Sequence, residues 1–282
     1  MSVFPTKILL ATDGSDDAAL ATRAAMDLAS KGGAELHLVH VWRDVPSPYA
    51  HAFIKRELER QGQEILDGQV AKIEGAGGQV SGAHLKGGRI SDEVLRLSRR
   101  LDAGLLVLGS RGHGRLGRIL LGSHAEDIIH RAHLPVLVLR RGEETWPPKH
   151  VVVGEDFSED AKKAAELAAS IGELFGIRAI LAHAYPPVPE GTSDDVVRQV
   201  EQDLEARAEE LESSMGYHPE TRLTAGDAAL AVIEAARHEA GPTLLAVGSR
   251  GLGAVGRARL GSTSTKVIRA ARGPVLICPH ER

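Results

Sequence analysis

The chain has 282 residues, room for two domains of about 140 residues that can each bury a core without disulfides or metals. Aromatic residues are only 3% against 43% hydrophobic overall, so the cores must be built from Ala, Val, Leu and Ile. A net charge of −4 excludes a broad positive field for nucleic acid or anionic lipid, and the single cysteine, Cys278, excludes a disulfide framework and any multi-cysteine metal site.

At the N-terminus one lysine precedes a short apolar run that Asp13 and Gly14 interrupt far below membrane-spanning length. No signal peptide or transmembrane helix is expected, and a reducing, cytoplasmic setting fits. The run Ile8–Ser15 (ILLATDGS) predicts a strand leading into a helix carrying Ala18, Met26 and Leu28. Ser15 is placed to cap that helix, Asp16 and Asp17 suit its positive end, and Gly32 is expected to end it. Glu35–Trp42 (ELHLVHVW) predicts the second strand, with His40 as a hydrogen-bonded core histidine. After a loop at Pro46–His51, the segment Ile54–Ile73 mixes charged and apolar residues as a solvated helix with a buried stripe does.

Further on, a strand at Leu105–Leu108 runs into Gly109-Ser110-Arg111-Gly112, and nine residues later Gly122-Ser123 opens another helical segment. Glycine at these places lets backbone N–H groups approach a phosphate chain, and the helix start adds unpaired N–H groups and partial positive charge. Arg111, the second variable residue of that step, is suited to phosphate oxygens, while Arg115 and, in the second half of the chain, Arg257 are left open between phosphate contact and a solvated surface. A last strand is expected at Val136–Arg140. Arg141–Lys149 then carries Pro147 and Pro148, which resist both helix and central strand.

Beyond this linker the chain repeats itself. Val151–Ser158 (VVVGEDFS) lies 143 residues after Ile8–Ser15, which puts Asp156 on Asp13 and Ser158 on Ser15. Arg178–Tyr185 (RAILAHAY) repeats the second strand, with His183 on His40. Between the two, Ala161, Ala164, Ala168, Ile171 and Phe175 mark a helix that Gly176 is expected to end, and Val196–Leu211 marks a solvated one after a loop at Tyr185–Ser193. Leu245–Gly251 (LAVGSRG) repeats Leu106–Gly112 at an offset of 139, and Gly248-Ser249-Arg250-Gly251 is again followed after nine residues by Gly261-Ser262. The predicted domains are residues 1–141 and 149–282. Each reads as alternating strands and helices, an open parallel five-stranded sheet with helices on both faces. Ligands of such sheets sit beyond the strand carboxyl ends, where Asp13 and Asp156 are found. An aspartate there suits an adenine amino group and equally suits a local turn or helix cap.

Gly112–Gly117 and Gly251–Gly256 both satisfy G-x-G-x-x-G, but the dinucleotide fingerprint belongs after a first strand with an acid about 20 residues on, and neither condition holds. A phosphate loop of the G-x-x-x-x-G-K-[ST] type and a serine-hydrolase elbow are both absent. His130 and His133, three apart on one expected helix, lack a third metal ligand.

The duplicated Gly-x2-Gly-x9-Gly-Ser step, with its aspartates, resembles the universal stress protein family over nearly the whole chain, one domain per copy. The resemblance implies an adenine nucleotide alpha hydrolase-like fold, ATP as ligand with Mg²⁺ in attendance, and no catalysis. It implies that Asp13 and Asp156 meet the base or ribose. Ala11, Val41, Gly154 and Ala184 would line the base pocket by their backbone, and the glycine steps with Ser123, Ser262, Arg111 and Arg250 would take the phosphates. After the Gly-Ser pair, Thr263 and Ser264 match the hydroxyls common in the family, whereas His124 and Ala125 do not, which points to a weaker first site unless His124 substitutes. Pairing through the last strands, Val136–Arg140 with Val275–Cys278, would make an internal pseudo-dimer, and a homodimer or an unidentified protein partner is compatible with it. The alternatives are a slow ATP hydrolase and a nucleotide-independent interaction scaffold.

Overall fold

The computed structural model describes residues 4–43, 52–110, 121–140, 146–187, 195–251 and 260–280. Pro5–Arg141 forms one compact unit and Gly142–Arg282 makes up most of a second. The first unit runs β1 (Lys7–Ala11), α1 (Asp16–Gly32), β2 (Glu35–Arg43), α2 (Ala52–Gly75), β3 (Gly82–Gly88), α3 (Ile90–Leu101), β4 (Leu105–Gly109), α4 (Ser123–Arg131) and β5 (Val136–Leu139). The second repeats the order with β6 (His150–Gly154), α5 (Glu159–Glu173), β7 (Ala179–Tyr185), α6 (Asp195–Met215), β8 (Glu220–Ala225), α7 (Ala228–Arg237), β9 (Thr243–Gly248), α8 (Ser262–Ala270) and β10 (Val275–Cys278).

Within the first unit the strands lie in the order β3-β2-β1-β4-β5, and within the second β8-β7-β6-β9-β10, all pairs parallel. From β1 the chain steps outward to β2 and β3, then returns past β1 to β4. Right-handed crossovers therefore put α1 and α2 on one face and α3 on the other, the expected α/β sheet covered on both sides. The reversal of direction falls between β1 and β4, and between β6 and β9, and opens a crevice at their carboxyl ends.

Both faces being covered explains why the central strands are apolar throughout rather than alternating. Ile8, Leu9 and Leu10 of β1 and Val151, Val152 and Val153 of β6 are all fully buried. Against them lie alanine faces, Ala18, Ala21, Ala25 and Leu28 on α1 and Ala161, Ala164, Ala168 and Ile171 on α5, whose small side chains let helix and sheet approach closely. Ser15 and Ser158 cap these helices as expected, accepting from Ala18 N at 3.3 Å and Ala161 N at 3.1 Å. The left-handed residue that closes α1 is Gly33 at φ 67°, one position after the expected Gly32. Gly176 has φ 71°, but α5 already ends at Glu173. The expected loop at Pro46–His51, and all but the start of that at Tyr185–Ser193, lie outside the described residues.

Candidate functional site

In the second unit, the ends of β6 and β9, the start of α7 and the start of α8 enclose a cavity of about 660 Å³. The structure brings to this one space the strand-end residues Gly154, Asp156 and Ala184, the glycine step Gly248, Arg250 and Gly251, and the helix opening Gly261, Ser262, Thr263 and Ser264. These are all ten of the positions singled out in the second repeat. Such a volume is in the range of small-molecule sites.

Asp156 serves as both turn-maker and wall. Its Oδ1 accepts from Ser158 N at 3.1 Å and from the Ser158 hydroxyl, which in turn caps α5. Its Oδ2 lies against Gly251, where an added Cβ would fall 2.2 Å away. The second glycine of the step thus gives room to the aspartate carboxylate. The first glycine does something other than the expected clearing of a phosphate path. A Cβ at Gly248 would stand 2.8 Å from Asp160 Cβ and 2.9 Å from Ala161 N, and one at Gly109 would stand 2.8 Å from the Asp17 carbonyl carbon. Both glycines let the first turn of a helix rest on a strand end.

That turn is anchored by an acid whose partners the sequence did not reveal. Asp160, 2% exposed, accepts from Ser249 Oγ at 3.3 Å and holds His280 Nδ1 at 2.9 Å, while in the first unit Asp17 accepts from Ser110 Oγ at 2.9 Å. The serine inside each Gly-Ser-Arg-Gly step therefore clamps strand to helix. Ser264 also differs from expectation, since its hydroxyl donates to Gly248 O at 2.7 Å and so spends its proton on the fold. What Ala125 lacks in the first unit is this tether of helix start to strand end. Gly261, at the N-cap of α8, makes no side-chain cap, which leaves the first-turn N–H groups to the cavity. Arg250 lines the same space, and its Nε is buried with no hydrogen-bond partner among the described residues.

Glu155, also in the cavity wall, was not singled out beforehand. Its side chain is buried, Oε1 accepts from Phe157 N at 2.6 Å and lies 3.7 Å from Arg207 Nε, and Oε2 has no partner among the described residues. Burial pushes the carboxyl up to about 7 despite the nearby Arg207 guanidinium. Arg207 reaches over from α6 and donates to Phe157 O at 3.0 Å, holding a turn in which Phe157 takes φ 63°. The repeat carried the available signal, since the first copy has Thr12 at this place. His40 and His183 secure the same turns. Each points Nδ1 at a carbonyl, Thr12 O at 2.9 Å and Glu155 O at 2.7 Å, so that nitrogen carries the proton.

In the first unit a cavity of about 600 Å³ is lined by Ser123 and His124 together with Arg43, Arg89, Ser91 and Asp127. Ala11 ends β1, Val41 is buried in β2, and Asp13 accepts from Ser15 N at 3.0 Å, but these three, with Gly109 and Gly122, do not line that cavity. Arg111, Gly112 and Arg115 lie outside the described residues, as does Arg257. Arg89, at the N-cap of α3, and Asp127, midway along α4, form an ion pair at 3.6 Å beside the closer pair of Asp127 with Arg131 at 3.0 Å. The corresponding residues of the second unit, Asp227 and Lys266, pair at 2.5 Å with the charges exchanged. His130 is on α4, whereas His133 lies past its end and cannot share a helical face with it. Among the described residues no group of three or more His, Cys, Asp or Glu side chains could hold a metal ion, and no helix is long and apolar enough to cross a membrane.

The universal stress protein family matches residues 5–140 and again residues 148–279. A universal stress protein of Mycolicibacterium smegmatis is 26% identical over 289 residues, covering 96% of both chains. Universal stress protein MJ0531 of Methanocaldococcus jannaschii is 33% identical over 140 residues, 48% of this chain and 82% of that one. Among solved structures, a universal stress protein from Archaeoglobus fulgidus is similar in fold with a TM-score of 0.72 at 24% identity, covering 97% of this chain and 98% of that one.

Proposed function

The chain belongs to the universal stress protein family, and from that premise we propose that it is an ATP-binding stress-response or signalling module that works by occupancy rather than catalysis. The observation that carries this reading is the convergence of the second repeat's strand ends, glycine step and uncapped helix start on one cavity. The base would enter the apolar part between β6, β7 and α7, and the phosphates would meet the α8 N-terminus and Arg250. Mg²⁺ would arrive on the phosphates, since the described residues offer no metal cluster of their own. The first repeat would bind more weakly, since only Ser123 and His124 of its expected residues line the cavity there, and we place the chain in the cytoplasm.

Calorimetric titration of nucleotide-stripped protein with ATP and Mg²⁺ tests the reading, with saturable binding expected and its absence favouring an interaction scaffold. Turnover well above that of a loop variant would instead mark an ATP hydrolase. Gly261→Val puts a branched side chain at the helix start, where Cβ meets Ser249 O at 3.3 Å and φ is an ordinary −69°. The fold should hold while ATP affinity in that half falls at least about tenfold through lost N–H contacts. Gly122→Val should do the same in the first half. Gly251→Ala drives its Cβ into Asp156 Oδ2. It should weaken ATP binding in the second half by about tenfold and also lower the urea midpoint, because the carboxylate has to swing away and its bonds to Ser158 weaken. Unaltered affinity in either variant would remove that residue from the site.

A further inference from the structure

The two repeats offer a bound base different amounts of room. Gly154 pairs with Ala182 in the register of β6 and β7, and Ala184 follows on the same face two residues along. With Ala228, the first residue of α7, these form the apolar wall of the second cavity. At the same register in the first unit, Ala11 pairs with Val39, Val41 follows, and Ile90 opens α3. Every one of these four is larger than its counterpart. Val39 and Val41 are 1% and 8% exposed, so their added methyl groups fill space inside the unit. The first cavity correspondingly reaches Ile90 but none of Ala11, Val39 and Val41, and lies outward against Arg43 and Arg89.

We infer that the second half alone has a base slot wide enough for an adenine nucleotide enlarged on its six-membered ring, the specificity being set by Ala182, Ala184 and Ala228. This rests on the nucleotide reading above. With phosphates at the helix start and the base in the slot, the edge carrying N6 and C2 points away from the glycosidic nitrogen and into the space that the alanines leave. A single methylene in an apolar pocket is worth about 10- to 200-fold in discrimination, so three such differences decide which half accepts the larger base.

The test titrates the full chain with ATP, N6-benzyl-ATP and 2-methylthio-ATP. The wild type should bind one enlarged analogue per chain. Giving the second half the first half's residues, Ala184→Val with Ala228→Ile, should lower the ratio of analogue to ATP affinity at least about tenfold. The opposite pair, Val41→Ala with Ile90→Ala, should raise analogue stoichiometry to two and keeps the inference testable if the filled variant folds poorly. Two analogues bound per wild-type chain, an unchanged ratio in the filled variant, or rejection of both analogues by the wild type would overturn it. Failure of ATP itself to bind would overturn the nucleotide reading instead.

Discussion

Gly248→Ala is expected to lower the stability of the second unit by about 3 kcal/mol, at the upper end of what overpacking usually costs. The new Cβ would meet Asp160 Cβ at 2.8 Å and the Ala161 nitrogen at 2.9 Å, atoms of the first helical turn of α5 rather than the tip of a flexible side chain. That turn has little freedom to retreat, because Asp160 is tied to Ser249 and His280. The chain has two tryptophans, one per unit. Urea unfolding followed through Trp146 in a Trp42→Phe background reads the second unit selectively. A midpoint like that of the parent protein, with ATP binding lost all the same, would return Gly248 to the phosphate role first given to it.

Replacing Glu155 with Gln should stabilise the second unit by about 3 kcal/mol at pH 8.5 and by almost nothing at pH 4. Burial raises this carboxyl from 4.5 to about 7. Between those two values the folded chain holds a proton that the unfolded chain has released, so wild-type stability falls as pH rises through the window. Below it both states are protonated and the penalty vanishes; above it the penalty is complete. The glutamine carries no charge to bury, and Arg207 keeps Glu210 at 2.9 Å and Phe157 O at 3.0 Å. Destabilisation that grows from pH 4 to pH 8.5 would show that the Arg207 contact outweighs the burial of charge, and an effect equal at both pH values would show that the two cancel.

Much of this architecture was legible from the chain alone. The first, second and fourth strands were readable because their apolar runs recur at fixed offsets, whereas β3 (GAHLKGG) and β8 (ETRLTA) are not apolar runs and gave no such signal, and the crevice followed from strand order once the crossovers were taken as right-handed. The glycine steps were readable as positions, but what each glycine accommodates was not. Gly248 answers to a helix some ninety residues earlier in the chain, and no local pattern announces that α5 starts directly over β9. Resemblance to the family makes Ser264 a phosphate donor, because a hydroxyl is common at that position, yet its proton goes to Gly248 O. Glu155 was passed over beside Asp156, although setting it against Thr12 would have raised the question of how a buried strand end tolerates an acid. Arg207 gave no signal, since on a charged helix one arginine looks like any other. His133 was placed on a helix that stops two residues short of it, an error of boundary.

The ion pairs at the N-caps of α3 and α7 bear on how the two copies can exchange parts. Arg89 faces Asp127 in one unit, and Asp227 faces Lys266 in the other. Transplanting α7 with its cap residue into the first unit would set Asp227 beside Asp127, and the reciprocal graft would set Arg89 beside Lys266. Either hybrid exchanges an attraction for a repulsion, softened in the first by Arg131, which stays 3.0 Å from Asp127, and the second also loses the carboxylate that caps the helix there through Ala229 N and Leu230 N. The smallest segment that can pass between the copies without this conflict is therefore the helix pair with the intervening strand.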